Sequence, residues 1–337
     1  MSSQILLGHG SGGQLSHDLI EHIFINYFHN DILADQTDSA IVSLNEGKIA
    51  FTTDSYVVDP IVFPGGNIGK IAVCGTINDL AVSGAEPKYI AASFIIEEGL
   101  PFQVLQEIVK SMAEEAEKAG VLIVTGDTKV VDKGKSDKLF ITTSGVGVVP
   151  AQNLKIAHGT DIKPGDVILI NGHIGDHGIA VMGAREELSF SNDVQSDCAS
   201  LNHLVKKVLD AGLQVKFMRD ATRGGVATVL AEVAKKHGFG VEMEEETIPV
   251  RESVKGLCEI FGFDPLYVAN EGKVVMVIAP EDVKKALEIM KSEPTGIDSV
   301  KIGEITSLHP GKVVLNTTIG GKRMVDMLAG EQLPRIC

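Results

Sequence analysis

The sequence predicts an α/β protein of two domains, and three observations carry that expectation. At 337 residues the chain is longer than one hydrophobic core usually serves. Strand-like apolar runs alternate with amphipathic helical runs in both halves. Between the halves lies "VPAQNLKIAHGTDIKPGD", a polar stretch with Pro150 and Pro164. It places a first domain at 1–154 and a second at 155–329, leaving a tail at 330–337.

Each element follows from its local pattern. In "QLSHDLIEHIFINYF", Leu15, Leu19, Ile23 and Tyr27 recur every four residues, which predicts a helix with one buried stripe. "SAIVSL" and "KIAFTTDSYV" read as strands joined through "NEGK". "NIGKIAVCGTINDLAVSG" predicts a helix whose small residues suit close packing, and "KYIAASFIIE" a strand. "PFQVLQEIVKSMAEEAEKAG" is an amphipathic helix bounded by Pro101 and Gly120. "VLIVTGDTKV" and "LFITTSGVGVV" complete the first sheet.

The alternation then repeats. "VILINGHIGDHG" is a strand entering a glycine loop, and "CASLNHLVKKVLDAG" is a helix. "VKFMRDATRGGVATVLAEVAKKHG" reads as strand, loop and helix. "KVVMVIAP", "EDVKKALEIMKSE" and "SVKIGEI" follow as strand, helix and strand, with "GKVVLN" as a last strand.

Acidic residues outnumber basic ones by 45 to 30, a net charge of -15. This argues against a nucleic-acid or anionic-membrane surface, which needs clustered Lys and Arg. A nucleotide ligand remains compatible, since glycine loops and cations hold phosphates in acidic proteins. No apolar run approaches the roughly 20 residues that cross a bilayer, and no signal peptide is visible. The expected location is the cytoplasm, with reduced thiols. Cys74, Cys198, Cys258 and Cys337 are too scattered for a zinc site or disulfide framework. The first three fall on helix-like segments and read as packing residues. Cys337 differs: it ends the chain, after Pro334, Arg335 and Ile336.

Aspartates recur where strands or helices meet turns: Asp38 in "QTDSA", Asp54 in "TTDSY", Asp79 in "INDLA" and Asp127 in "TGDTK". Singly, each also fits a helix cap or turn. Together they offer the oxygen ligands that Mg²⁺ prefers when bridging carboxylates to phosphates. "GHGSGG", with Gly10, Ser11, Gly12 and Gly13, has backbone N–H groups able to wrap phosphate, although a mobile N-terminal arm fits it as well. In "MRDATRGGV", Asp220 and Thr222 can cap a helix, Arg223 adds a cation, and two glycines permit close approach. Simple strand-to-helix packing also accounts for it.

The series "TTDSY", "INDLAVSGAEP", "TGDTK" and "RDATRGG" resembles the ATP-dependent superfamily of aminoimidazole-ribonucleotide synthetase, selenophosphate synthetase and thiamine-monophosphate kinase. The resemblance covers nearly the whole chain. "GHGSGG" and the terminal "PRIC" narrow it to the NiFe-hydrogenase maturation family HypE. One departure is Ala221, where the family usually has Pro, a change expected only to loosen a turn.

The resemblance implies an N-terminal sheet domain that dimerises, a second α/β domain packed against it, and a mobile tail. ATP with Mg²⁺ would lie between the domains. Asp38, Asp54, Asp79 and Asp127 would surround the magnesium-phosphate region, under Gly10, Ser11, Gly12 and Gly13. Asp220 and Arg223 would face the nucleotide. Lys129 would be a nearby cation, Asn78 would position substrate or phosphate, and Glu271 in "VANEGK" would be the base. A solvated loop carboxylate is the alternative for Glu271.

The implied reaction is ATP-dependent dehydration of a carbamoyl group carried on Cys337, thiocarbamate to thiocyanate, with Arg335 beside the thiol. The carbamoyltransferase HypF would be the donor, and the HypC–HypD scaffold the cyanide acceptor. Two alternatives stand: an ATP-dependent synthetase or kinase of a free small molecule, and a non-catalytic carrier. The tail is expected to alternate between an inserted and an extended state.

Overall fold

The computed structural model describes residues 4–10, 14–34, 48–185, 193–327 and 336. Asp38, Ser11, Gly12, Gly13, Arg335 and Cys337, with the strand expected in "SAIVSL", lie outside them.

The N-terminal helix forms where its stripe predicts. α1 (Gln14–Leu19) runs through a π-helical stretch (Ile20–Ile25) into α2 (Asn26–Phe28), and a single turn, α3 (Asp31–Ala34), follows. Leu19 and Ile23 are buried, but Leu15 is 44% exposed. Packing against the long helix of this half falls on the π-helical stretch and α2, beyond the first turn that carries Leu15.

The first half continues with β1 (Lys48–Tyr56), a short hairpin of β2 (Val62–Phe63) and β3 (Gly66–Asn67), and α4 (Ile68–Val82). Then come β4 (Glu86–Glu97), α5 (Phe102–Ala119), β5 (Leu122–Val131) and β6 (Leu139–Val149). The four long strands form one sheet in the order β1-β6-β4-β5, in which only β4 and β5 are parallel. Pro101 is the N-cap of α5, and Gly120 ends it at φ +70°. A left-handed residue is the common way to close a helix.

α4 is buried almost all round, as its small apolar residues require. Its Gly69 meets α5 directly: a Cβ there would stand 2.7 Å from the Ile108 carbonyl and from Met112. At the other end, Ala81 and Val82 join a core with Leu201, Leu204, Met218 and Met276 of the second half. One helix is thus shared between both halves.

The second half holds β7 (Val167–Ile170), α6 (Asp176–Gly183), α7 (Asn202–Asp210), β8 (Val215–Asp220) and α8 (Gly225–His237). β9 (Gly240–Glu244), α9 (Glu252–Phe261), β10 (Val274–Ile278) and α10 (Val283–Lys291) follow. β11 (Val300–Thr306), β12 (Val313–Asn316) and β13 (Lys322–Val325) close it. The sheet order is β13-β12-β9-β11-β7-β10-β8.

Three of these elements, α6, β9 and β13, go beyond the sequence expectation, α6 beginning inside the run read as a glycine loop. "GVEME" buries Val241 and Met243, but a run this acidic and this short carries a weak strand signal. α9 carries Cys258, as its helix-like segment predicts, and β13 buries only Val325. Cys198 also departs from expectation, because residues 193–200 carry no helix and α7 starts only at Asn202. It is nonetheless buried, as are Cys74 and Cys258. Among the described residues no helix is long and apolar enough to cross a membrane.

Gly69 sets two effects against each other. Gly69→Ala raises helix propensity by about 1 kcal/mol, but its Cβ meets backbone on α5, and overpacking costs roughly 1–3 kcal/mol. We expect a lower midpoint in urea for Gly69→Ala than for the parent chain. A higher midpoint would mean that α5 moves aside freely.

Candidate functional site

β1, α4 and β8 converge on a cleft of about 390 Å³. Along β1 the alternation turns Thr52, Asp54 and Tyr56 inward and leaves Thr53 and Ser55 outward. Asp79, in the last turn of α4, accepts a hydrogen bond from Thr52 Oγ1 at 2.7 Å. Asp220 ends β8, and Thr222 and Arg223 follow on the loop into α8. Asp54, Asp79, Asp220, Arg223 and Glu271 therefore line one cavity, drawn from both halves.

Burial, with the charge of neighbouring carboxylates, makes ionisation of Asp79 and Asp220 costly. Burial, then the charge of Asp220, pushes Asp79 up to about 7, against the opposing hydrogen bond from Thr52. Burial raises Asp220 to about 6, aided by Asp54 and opposed by Arg219. A hard cation relieves such repulsion. Among the described residues no three His, Cys, Asp or Glu side chains gather tightly enough to cage a metal alone.

The opposite wall is the N-terminus of α8. Gly224 and Gly225 have φ of +75° and +61°, which L side chains rarely adopt, and a Cβ on Gly225 would stand 2.4 Å from the Leu266 carbonyl. This brings the helix start against residues 266–268. Thr228 Oγ1, also in the cleft wall, has no hydrogen-bond partner among the described residues. Ala221 does more than loosen a turn: its N–H donates to the Lys273 carbonyl at 3.1 Å, a bond proline cannot make.

Glu271 is 2% exposed. Its backbone N–H donates to Asp197 Oδ1 at 3.0 Å, and Asp197 Oδ2 accepts from Gly272 N–H and from Lys273 Nζ at 2.9 Å. Burial opposes a charge on Asp197, yet Lys273 and these donors hold it below the usual carboxylate range. Glu271 goes the other way, raised by burial, then by Asp197 and Asp220. The solvated-loop alternative is thereby excluded. Asn78 spends its amide on protein: Nδ2 donates to the Ala199 and Glu271 carbonyls, and Oδ1 accepts from Leu201 N–H. It holds the Glu271 loop and does not line the cleft. Asp197, Lys273 and Tyr56 were not marked by the sequence; only the closeness of Lys273 to Glu271 hinted at one of them.

Asp127 and Lys129 fall elsewhere, contrary to an arrangement of the aspartates around one point. Register pairs Asp54 with Thr143, Thr143 with Ala92, and Ala92 with Gly126. Gly126, not Asp127, therefore shares the face of Asp54, and three strand spacings of roughly 5 Å separate β1 from β5. Asp127 and Lys129 are ion-paired at 2.8 Å, and Lys129 holds Asp127 below the usual carboxylate range. Both line a second cleft of about 260 Å³ with His9, next to the turn Leu7–Gly10 that contains Gly10.

The described end of the chain, Ile336, is buried in the first-half core, and its carbonyl lies 2.7 Å from His177 Nε2.

Comparisons agree with this architecture. The model "AIR synthase related protein, N-terminal domain" matches residues 36–149, and the corresponding C-terminal domain model matches 163–316. "Carbamoyl dehydratase HypE" of Rhodobacter capsulatus is 49% identical over 336 residues, covering 99% of this chain and 98% of that protein. The crystal structure of hydrogenase maturation protein HypE in complex with ATP superposes with a TM-score of 0.94 at 45% identity, covering 98% and 99% of the two chains. A HypE–HypF complex structure matches with a TM-score of 0.78 at 50% identity, covering 92% and 99%.

The raised Asp79 carboxyl fixes the sign of a pH effect. Between about pH 4 and 7 the folded chain keeps a proton on Asp79 that the unfolded chain has lost. Stability from this group is therefore complete below about pH 4 and falls as pH rises toward 7. Without nucleotide or divalent cation, Asp79→Asn should raise Tm at pH 8 by roughly 2–4 °C, about 1 kcal/mol, and change it less at pH 5. A lower Tm at pH 8, followed by circular dichroism, would show that Thr52 outweighs the neighbouring carboxylates.

Proposed function

Because this chain belongs to the carbamoyl dehydratase HypE family, we propose that it dehydrates a carbamoyl group carried on its own Cys337, using ATP. The product thiocyanate supplies the cyanide ligand for the iron of a NiFe-hydrogenase. The observation that carries this reading is the position of Ile336. Its carbonyl is bonded to His177, whose Nδ1 is 2.8 Å from Ser196 Oγ. Ser196 adjoins Asp197, which holds the backbone of Glu271. Residue 337 is one peptide unit from that carbonyl, a reach of about 3.8 Å between Cα atoms.

The chemistry needs a leaving group, because an amide oxygen does not depart as oxide. Transfer of the terminal phosphoryl group of ATP to the carbamoyl oxygen, with loss of one N–H proton, gives S–C(OPO₃)=NH. Loss of the second N–H proton forms the C≡N bond as the C–O bond breaks and phosphate leaves. Glu271 is our candidate for the acceptor of a nitrogen proton, and its raised pKa makes the ionised carboxylate a stronger base. Asp54, Asp79 and Asp220 would hold Mg²⁺, which supplies charge neutralisation at the phosphates. The α8 N-terminus, with Arg223 and Thr228, offers donors to phosphate oxygens.

We assign Asp127 and Lys129, with the glycine-rich segment after His9, to a second phosphate-contacting surface. They lie on the outward sheet face, where Ile49, Ile95 and Phe51 are exposed, Phe51 by 70%. Such an apolar face fits a homodimer. Residues 1–154, 155–329 and 330–337 serve as ATP-binding domain, second domain and tail. HypF donates the carbamoyl group and a HypC–HypD complex accepts the cyanide.

Intact-mass spectrometry after incubation with HypF, carbamoyl phosphate and ATP tests the scheme. Cys337 should gain a carbamoyl group, then lose one water only with ATP present. Glu271→Gln should keep the first change and slow the second by roughly 100-fold or more. Modification at another residue, or full dehydration by Glu271→Gln, refutes the respective assignment.

A further inference from the structure

His177 sits at the start of α6 and is fully buried. Both ring nitrogens have a partner: Nε2 meets the Ile336 carbonyl at 2.7 Å, and Nδ1 meets Ser196 Oγ at 2.8 Å. The ring stands edge-on to Phe63, with centroids 5.4 Å apart. A carbonyl can only accept, so Nε2 must carry the proton. Burial keeps the ring neutral, so Nδ1 is bare and accepts from the Ser196 hydroxyl. The Ser196 oxygen in turn accepts from Cys198 N–H at 3.1 Å. All these groups are satisfied only while Ile336 is in place.

We propose that His177 is a latch that reads the backbone of residue 336 and holds the C-terminal tail inserted. The recognised group is the Ile336 carbonyl, with the Ile336 side chain packed in the first-half core. Withdrawal of the tail strands a buried N–H donor, a bias of roughly 5-fold or more toward insertion. That bias is small enough to be overcome by a partner protein that binds the extended tail. The same turn, Ser196–Cys198, includes Asp197, which holds Glu271 and Gly272 N–H groups. Tail insertion and placement of Glu271 therefore share one support. His177 is a positioning residue, its two ring nitrogens taken by Ile336 and Ser196.

This inference rests on the reading of Cys337 as the carrier, but its test needs no carbamoyl donor. The full chain is labelled with a maleimide, and Cys337 is followed by mass spectrometry, since Cys74, Cys198 and Cys258 are buried. His177→Leu should label Cys337 roughly 5-fold or more faster than the parent. His177→Gln, which restores a donor near the Nε2 position, should return the rate to within about 2-fold of the parent. Equal rates for His177→Leu and the parent overturn the latch.

A second measurement separates latch from packing. His177→Leu should lower Tm more in the full chain than in a chain lacking residues 336 and 337. Equal losses in both backgrounds assign His177 to packing alone and refute the proposal. A parent chain whose Cys337 is never carbamoylated would sink the carrier reading, while both of these measurements still judge the latch.

Discussion

The charge on Asp197 is the interaction on which the rest of the site depends. It is a carboxylate held ionised inside the protein, against burial, by Lys273 and by the N–H groups of Glu271 and Gly272. A buried ion pair is weak evidence for stability, since desolvation offsets much of its attraction. What it gives here is position and polarity. The loop 270–273 is pinned to the turn at 196–198, and a fixed negative charge is set beside Glu271. That charge is a leading cause, after burial, of the raised Glu271 pKa. One carboxylate is kept ionised so that its neighbour is reluctant to be.

The same turn organises the surroundings. Ser196 N–H donates to the Pro64 carbonyl of the first half, and its hydroxyl meets His177. Asn78 reaches from α4 to Ala199, Leu201 and Glu271. α4 is packed by α5 at Gly69 and by the second half at Ala81 and Val82. Displacing α4 would therefore move Asp79, the Asn78 clip and the shared core together. The cleft is a property of the seam between the halves.

Electrostatics in the cleft follow from that closeness. Asp54, Asp79 and Asp220 come from three separate elements and meet in one cleft, where Arg219 is paired with Glu232 and Arg223 stands on the facing wall. Burial and neighbouring carboxylates favour the protonated forms of Asp79 and Asp220. Arg223 and the α8 N-terminus supply the positive side of the cleft.

The sequence by itself determined the two-sheet α/β plan and most helices, and its family resemblance pointed to Asp54, Asp79, Asp220, Arg223 and Glu271, which line one cleft, together with Asp127 and Lys129, which do not. Strand and helix periods and short motifs are local, so they survive in a linear reading. The tertiary structure decided which face each residue shows and what each contacts. Asp127 was separated from Asp54 by strand order and register, which depend on contacts between distant strands. Asn78 looked like a ligand contact but is consumed by three backbone partners. Asp197, His177 and Ser196 carried no motif of their own, because their role exists only when four segments meet. Long-range pairing gives those residues their charge state and their partners, and no local pattern encodes it.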